Sequence, residues 1–206
     1  MVQTLIIFLL FALIHSITVS GWFKRLCQKV LGEIFMRVWY RFLYSLVSGS
    51  TAAIAFYLIY QTPDRAIWIG PLWFRWLMHA IQIVGLVLGV RAFEHLDTWE
   101  FMGFTQVWRY LMKGEVNGNI EGLTQQELVT TGVYGIVRHP MYLAGIIIFT
   151  FEPNITKNGL TVTVLADLYF LFGSFIEERR FIRAFGDQYK EYRERVPRLV
   201  PKIFFR

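Results

Sequence analysis

Chemistry in this chain is concentrated in one run, Gly132-Val133-Tyr134-Gly135-Ile136-Val137-Arg138-His139-Pro140-Met141-Tyr142, where polar and aromatic groups stand directly before an apolar stretch. Proline suits the first position of a helix, because the amide it lacks would have no partner there. A helix beginning at Pro140 points its first amides and the positive end of its dipole at the polar interface, which makes a site for a carboxylate or a phosphate. The next apolar stretch ends in Glu177 and Glu178, two adjacent acids where a helix end favours Lys or Arg. A cationic partner would explain them. If the two stretches form a hairpin, Arg138, His139 and Tyr142 face Glu177 and Glu178, and a zwitterion fits between them.

Other polar residues stand inside apolar stretches. His15, Arg41 and Asp167 are intramembrane candidates for function by default, since ionisable groups are expensive there, and any of them could orient an acceptor. His15 has an equal alternative as a hydrogen bond to a neighbouring helix through Ser16 or a backbone carbonyl. His79 with Gln82 reads as packing between helices. Cys27 is the only cysteine, so no intrachain disulfide and no thiolate cluster can form. The other histidines are far apart in sequence, and no metal site is expected.

The elements that must position these residues are membrane spans. A crossing takes about twenty apolar residues at roughly 1.5 Å each. Val2 to Ser20, Val38 to Tyr60 and Leu72 to Phe93 meet that length, with Trp and Tyr near their ends as interfacial anchors. Met141 to Phe151 and Leu160 to Ile176 are weaker and are expected as a tight hairpin joined by a loop from Glu152 to Gly159. Five crossings put Gly21 to Arg37, Arg91 to Pro140 and the tail from Glu177 on one side. With Arg41 assigned to the nearer side, eighteen of the 21 Lys and Arg residues then share that side. The bias predicts an external N-terminus and a cytoplasmic C-terminus. The polar stretch Arg109 to Thr131 reads as a flexible loop that could act as a lid. In the tail, Phe181, Phe185, Tyr189, Tyr192 and Val196 share one helical face, which predicts an amphipathic helix lying on the membrane, broken at Gly186 and ended by Pro197.

Composition agrees. The chain is 55% hydrophobic and 17% charged, against roughly 25% charged in a soluble domain. Its net charge of +6 gathers beside apolar segments, which points to anionic lipid rather than nucleic acid. The first twenty residues lack a basic stretch and a small-residue cleavage site, so they read as a retained helix. The expected fold is all-α, a polytopic membrane helical bundle of about five transmembrane helices with a cytoplasmic amphipathic C-terminal helix. It is expected as a single membrane domain over 1–206, with three N-terminal spans in 1–93, a cytoplasmic loop in 94–131 and a helical hairpin and tail in 132–206.

The run from Gly132 to Tyr142, a span, Glu177-Glu178, Phe185-Gly186-Asp187-Gln188-Tyr189, and Tyr192 through Val196-Pro197-Arg198 resemble the integral membrane methyltransferases, which include isoprenylcysteine carboxyl and phospholipid methyltransferases. His15-Ser16, Tyr40 to Ser45 and Trp99 to Gln106 resemble the NnrU-like branch of methanethiol S-methyltransferases. The resemblance implies an S-adenosylmethionine-dependent methyltransferase, in the bacterial inner membrane, whose residues 132–206 bind the cofactor at the cytoplasmic interface. Tyr134, Arg138, His139, Pro140, Tyr142, Glu177 and Glu178 are the expected cofactor-binding residues, and Arg138, Glu178 and His15 the expected catalytic ones. Arg138 and the first amides of the helix would take the methionyl carboxylate, Glu177 or Glu178 the amino group, His139 and Tyr134 the adenosine, and Tyr142 the sulfonium. The acceptor would be a small apolar thiol or a lipid-like molecule entering from the bilayer. Carboxyl methylation of isoprenylcysteine or N-methylation of phospholipid are the alternatives, and a transporter or assembly factor without catalysis is the alternative of another class.

Overall fold

A computed structural model describes residues 1–118 and 128–202. In chain order it holds α1 (Val2–Val19), α2 (Gly21–Val38), α3 (Tyr40–Gln61), β1 (Ala66–Ile69), α4 (Leu72–Glu94), α5 (Thr98–Met102) and α6 (Phe104–Lys113). There follow a 3-10 turn at Gly132–Gly135, α7 (Pro140–Thr150), β2 (Asn154–Thr156), α8 (Lys157–Phe185) and α9 (Asp187–Arg195). α1, α3, α4 and α8 are each long and apolar enough to cross a membrane, and the chain is a multi-pass all-α membrane protein. The elements group into two compact units, one of 2–63 with 96–126 and one of 64–95 with 127–206.

In the first unit α1 packs on α3, with α2, α5 and α6 beside them. His15 of α1 sits between two α3 side chains, with Nδ1 3.2 Å from Ser48 Oγ and Nε2 3.1 Å from the Tyr44 hydroxyl. His15 thus bonds the neighbouring helix through Ser48 and Tyr44. Arg41 donates from Nε to the Phe101 carbonyl. The segment expected as a cytoplasmic loop from Gly21 to Arg37 is helical, bent at Gly32 with φ +85. α6 occupies the start of the stretch expected as a lid, and residues 119–127 of that stretch lie outside the described residues.

The second unit carries the candidate site. α7 packs on both α4 and α8, and Gly85 allows the close approach, because a Cβ there would come within 2.8 Å of Ile147 Cγ2 and 3.2 Å of the Ala144 carbonyl. With 11 residues, α7 covers only about 16 Å, roughly half of a hydrocarbon core. Its last-turn carbonyls thus end where water is excluded, and each must be met by protein. Gln82 Nε2 donates to the Ile148 carbonyl at 2.9 Å, and Thr163 Oγ1 to the Phe149 carbonyl at 3.1 Å. Thr150 Oγ1 donates to Asp167 at 2.7 Å, and Gln82 is itself held by His79 at 2.8 Å. The polar residues of these spans therefore cap a helix that ends early.

The loop expected from Glu152 to Gly159 contains β2, which pairs antiparallel with β1, Ile69 opposite Asn154 and Ala66 opposite Thr156. This pairing sets the α7–α8 connection against the segment before α4, at the end of the unit far from Glu177. α8 runs 29 residues, about 43 Å, past any bilayer core, so its last turns project beyond it. Gly186, with φ +56, separates α8 from α9 as expected, and α9 ends at Arg195 before Pro197.

One expectation is corrected here. The tail stripe does not lie on a membrane: Tyr189, Tyr192 and Val196 are 1%, 3% and 8% exposed and pack with Leu128, Phe181, Ile182 and Phe185. The apolar face is spent on the protein's own core, because α9 folds back against the end of α8 and the segment before α7.

Candidate active site

The hairpin of α7 and α8 brings the start of one helix against the end of the other, so the residues expected to meet do meet. Glu178, 4% exposed, takes Nε and Nη2 of Arg138 at 2.9 and 2.5 Å. Arg198 Nη2 reaches its other oxygen at 3.2 Å, and Arg193 Nε stands 3.8 Å from it. Arg138 Nη1 donates to the carbonyls of Arg193, at 3.0 Å, and Val196. The expected gap between Arg138 and Glu178 is therefore closed: the two are in direct contact, and the arginine is anchored in the tail. Glu177, one residue earlier, turns the other way. Its side chain is 35% exposed and accepts from His139 Nδ1 at 3.2 Å.

The tail is a strap over the mouth of α7. The amides of Arg138 and His139 donate to the carbonyls of Pro197 and Arg198 at 2.9 and 3.1 Å, and the Tyr192 hydroxyl donates to the Tyr134 carbonyl at 2.6 Å. With Pro140 at the first position and Leu143 bonded to the His139 carbonyl, the first turn of α7 presents the positive end of the helix between these groups. Rings line the seam between the helices. His139 stacks on Tyr142 with centroids 5.5 Å apart and planes at 12°, Tyr142 on Phe170 at 5.9 Å, and Phe181 on His139 at 6.4 Å.

Three buried polar atoms at this end have no hydrogen-bond partner among the described residues: His139 Nε2, Arg198 Nε and the Tyr189 hydroxyl. His139 Nε2 stands 3.5 Å from Glu178 Oε1, an ion-pair distance. Buried polar groups are nearly always satisfied, so Arg198 Nε and the Tyr189 hydroxyl could serve a polar ligand. Burial pushes the Tyr134 phenol up, and the charge of Glu177 raises it further, so it stays neutral and can donate a hydrogen bond.

Burial lowers the affinity of the His139 imidazole for its proton, but hydrogen bonding to Glu177 and the charges of both glutamates outweigh it, and the pKa is raised above 6.5. A raised folded-state value contributes stability that is complete below the unfolded value, near 6.5, and is lost as pH climbs through the folded one. The thermal midpoint of the wild-type chain should accordingly fall relative to that of His139→Gln between pH 6 and pH 8. Parallel curves for the two proteins would remove the charged imidazole from the site.

Sequence reasoning missed several members. Arg193, Arg198 and Tyr189 reach the site from the tail, and the signal for them was the block from Tyr189 to Arg198, which carries part of the family resemblance but was not assigned to the site. Phe170 and Phe181 come from α8, where spans rich in Phe hide a functional ring. His95, the last residue of the second unit's first segment, lies edge-on to Tyr134 at 6.4 Å and donates from Nδ1 to the Arg91 carbonyl at 2.8 Å. Asp167 bonds Thr150 at the other end of α7, away from these groups. His15, expected to be catalytic, belongs to the other compact unit.

Comparison with known proteins identifies the relatives. The model of the family described as NnrU protein matches residues 3–188. The chain is 28% identical over 202 residues to methanethiol S-methyltransferase 2 of Bradyrhizobium diazoefficiens, covering 98% of this chain and 73% of that protein. It is 26% identical to the methanethiol S-methyltransferase of Pseudomonas deceptionensis, covering 94% and 70%. A shorter stretch of 80 residues is 35% identical to the protein-S-isoprenylcysteine O-methyltransferase of Schizosaccharomyces pombe, covering 37% of this chain and 34% of that one. No solved structure matches the chain.

Proposed function

We propose that this chain, which belongs to the NnrU protein family, is a membrane enzyme that transfers a methyl group from S-adenosylmethionine to a small apolar thiol such as methanethiol. Methyl transfer by a multi-pass membrane protein is the reaction class of its relatives. The observation that carries the donor is the cluster at the mouth of α7: a half-buried acid, a helix positive end and buried polar atoms without partners among the described residues. S-adenosylmethionine bears a carboxylate, an amino group and an adenosine, and this cluster has a complement for each.

Bound there, the cofactor supplies a methyl group on a sulfur that is already positive, so the protein has only to place the partners and keep water away. Glu177 takes the amino group, because it is the acid whose charge is not consumed by arginine. Arg138 and Glu178 act as the frame that ties α7, α8 and the tail together. The ring ladder of His139, Tyr142 and Phe181 offers flat apolar faces to a purine and electron-rich ones to a sulfonium. The acceptor reacts as a thiolate, since the deprotonated sulfur is the nucleophile. The excess of Lys and Arg on one side of the five expected crossings supports a site at the cytoplasmic face.

Two measurements test the reading. Calorimetric titration of the purified chain with S-adenosylmethionine should saturate, and Glu177→Gln should weaken that binding about 10-fold or more. Labelled donor offered with methanethiol, prenylated cysteine and phosphatidylethanolamine should label the thiol. An absence of saturable binding sinks the enzyme reading, and label in lipid or prenylated cysteine moves the chain to another acceptor class.

A further inference from the structure

Resting on that reading of the donor, one group is left to place, the methionyl carboxylate. Arg138 is the arginine the sequence offers, but its guanidinium is 7% exposed, with Nε and Nη2 on Glu178 and Nη1 on two tail carbonyls. Turning it to a ligand would strand Glu178 and the strap together.

Arg198 is in a different position. Its backbone carbonyl accepts the His139 amide at 3.1 Å, which pins the residue at the mouth of α7. Its guanidinium lies over the Phe175 ring, 3.7 Å from the centroid, and spends Nη2 on Glu178 at 3.2 Å. Its Nε is buried with no partner among the described residues, although the side chain as a whole is 27% exposed. A guanidinium is a planar fork that binds carboxylates along an edge, and stacking on Phe175 holds that edge in one orientation.

The local charge count agrees. Glu178 is shared among Arg138, Arg198 and Arg193, at 2.5, 3.2 and 3.8 Å, while Glu177 pairs with His139. Three guanidiniums thus face one carboxylate, and the surplus is positive even before His139 is counted. The Tyr189 hydroxyl is a second buried donor at this end without a partner among the described residues. An anion is the ligand such a surplus calls for.

We propose that Arg198, reaching from the tail strap, is the residue that holds the donor's carboxylate, and that Arg138 is its structural counterpart. The carboxylate lies between the Arg198 edge and the first turn of α7, opposite the amino group on Glu177.

The test compares two ligands on the purified full chain by calorimetry: S-adenosylmethionine and its decarboxylated form, which differ only in this group. Wild type should prefer the carboxylate-bearing ligand by about 10- to 100-fold, the range of a charge-assisted hydrogen bond. Arg198→Gln should bind the two alike, at the affinity wild type shows for the decarboxylated form. Arg198→Lys keeps the charge beside Glu178 and loses the fork, so its preference should be intermediate, and it serves if the glutamine variant does not fold. Full retention of the preference in Arg198→Gln, or in Arg198→Lys should that be the variant measured, overturns the assignment while leaving the enzyme reading intact. If wild type binds neither ligand, the enzyme reading itself fails, and the assignment with it.

Discussion

Arg138→Ala should lower the stability of the purified protein by about 3–5 kcal/mol, the cost of breaking a buried ion pair by removing one member. The partners at risk are specific. Glu178 is 5% exposed at its side chain and would lose its closest cation, while the carbonyls of Arg193 and Val196 would lose their donor. Thermal unfolding followed by near-ultraviolet circular dichroism in detergent reads the effect directly. Binding of S-adenosylmethionine and of its decarboxylated form should fall together, because the frame fails rather than one contact. A variant with weakened binding at an unchanged midpoint would show that Arg138 serves the ligand and not the frame.

Gly132→Ala is the second large effect. Gly132 has φ +61, in the left-handed region, where a side chain costs about 1–2 kcal/mol. A Cβ there would also stand 1.9 Å from His95 Nε2 and 2.4 Å from Cε1, so the His95 ring would have to leave its place beside Tyr134. The total should exceed the conformational cost alone, and donor affinity should fall with it because Tyr134 moves. Adding His95→Ala removes the clash and leaves the backbone cost. The double variant should therefore unfold at a higher temperature than the two separate losses add up to. Simple additivity would mean that the His95 ring does not constrain the loop.

Much of this was legible because lipid imposes a simple grammar. Spans announce themselves by length, and Pro140 announces a helix start. The hairpin then brings Arg138 and His139 to Glu177 and Glu178 with little freedom, since two connected helices of opposite direction must align their ends. What the residues did not disclose was occupancy. Arginine beside glutamate in a sequence looks the same whether the pair holds a ligand or holds itself, and only the carbonyls of Arg193 and Val196 decide that Arg138 is consumed. The stripe from Phe181 to Val196 was misread for a related reason: helical periodicity reports that a face is buried and says nothing of whether lipid or protein covers it. The pairing of β1 with β2 rests on three residues of one strand, too few to carry a pattern. Gln82 and Thr163 carried a polar signal whose cause, a helix ending inside the bilayer, depends on where α7 stops.

The strap over α7 comes from residues 193–198, which the ribosome makes after α7 and α8. A nascent chain can therefore be fully inserted and still have nowhere to hold its donor. Assembly order thus delays the chemistry, since the decisive contact is closed by a segment that follows the hairpin it straps. Loss of those few residues, by proteolysis or premature termination, should leave a bundle that resides normally in the bilayer but is silent.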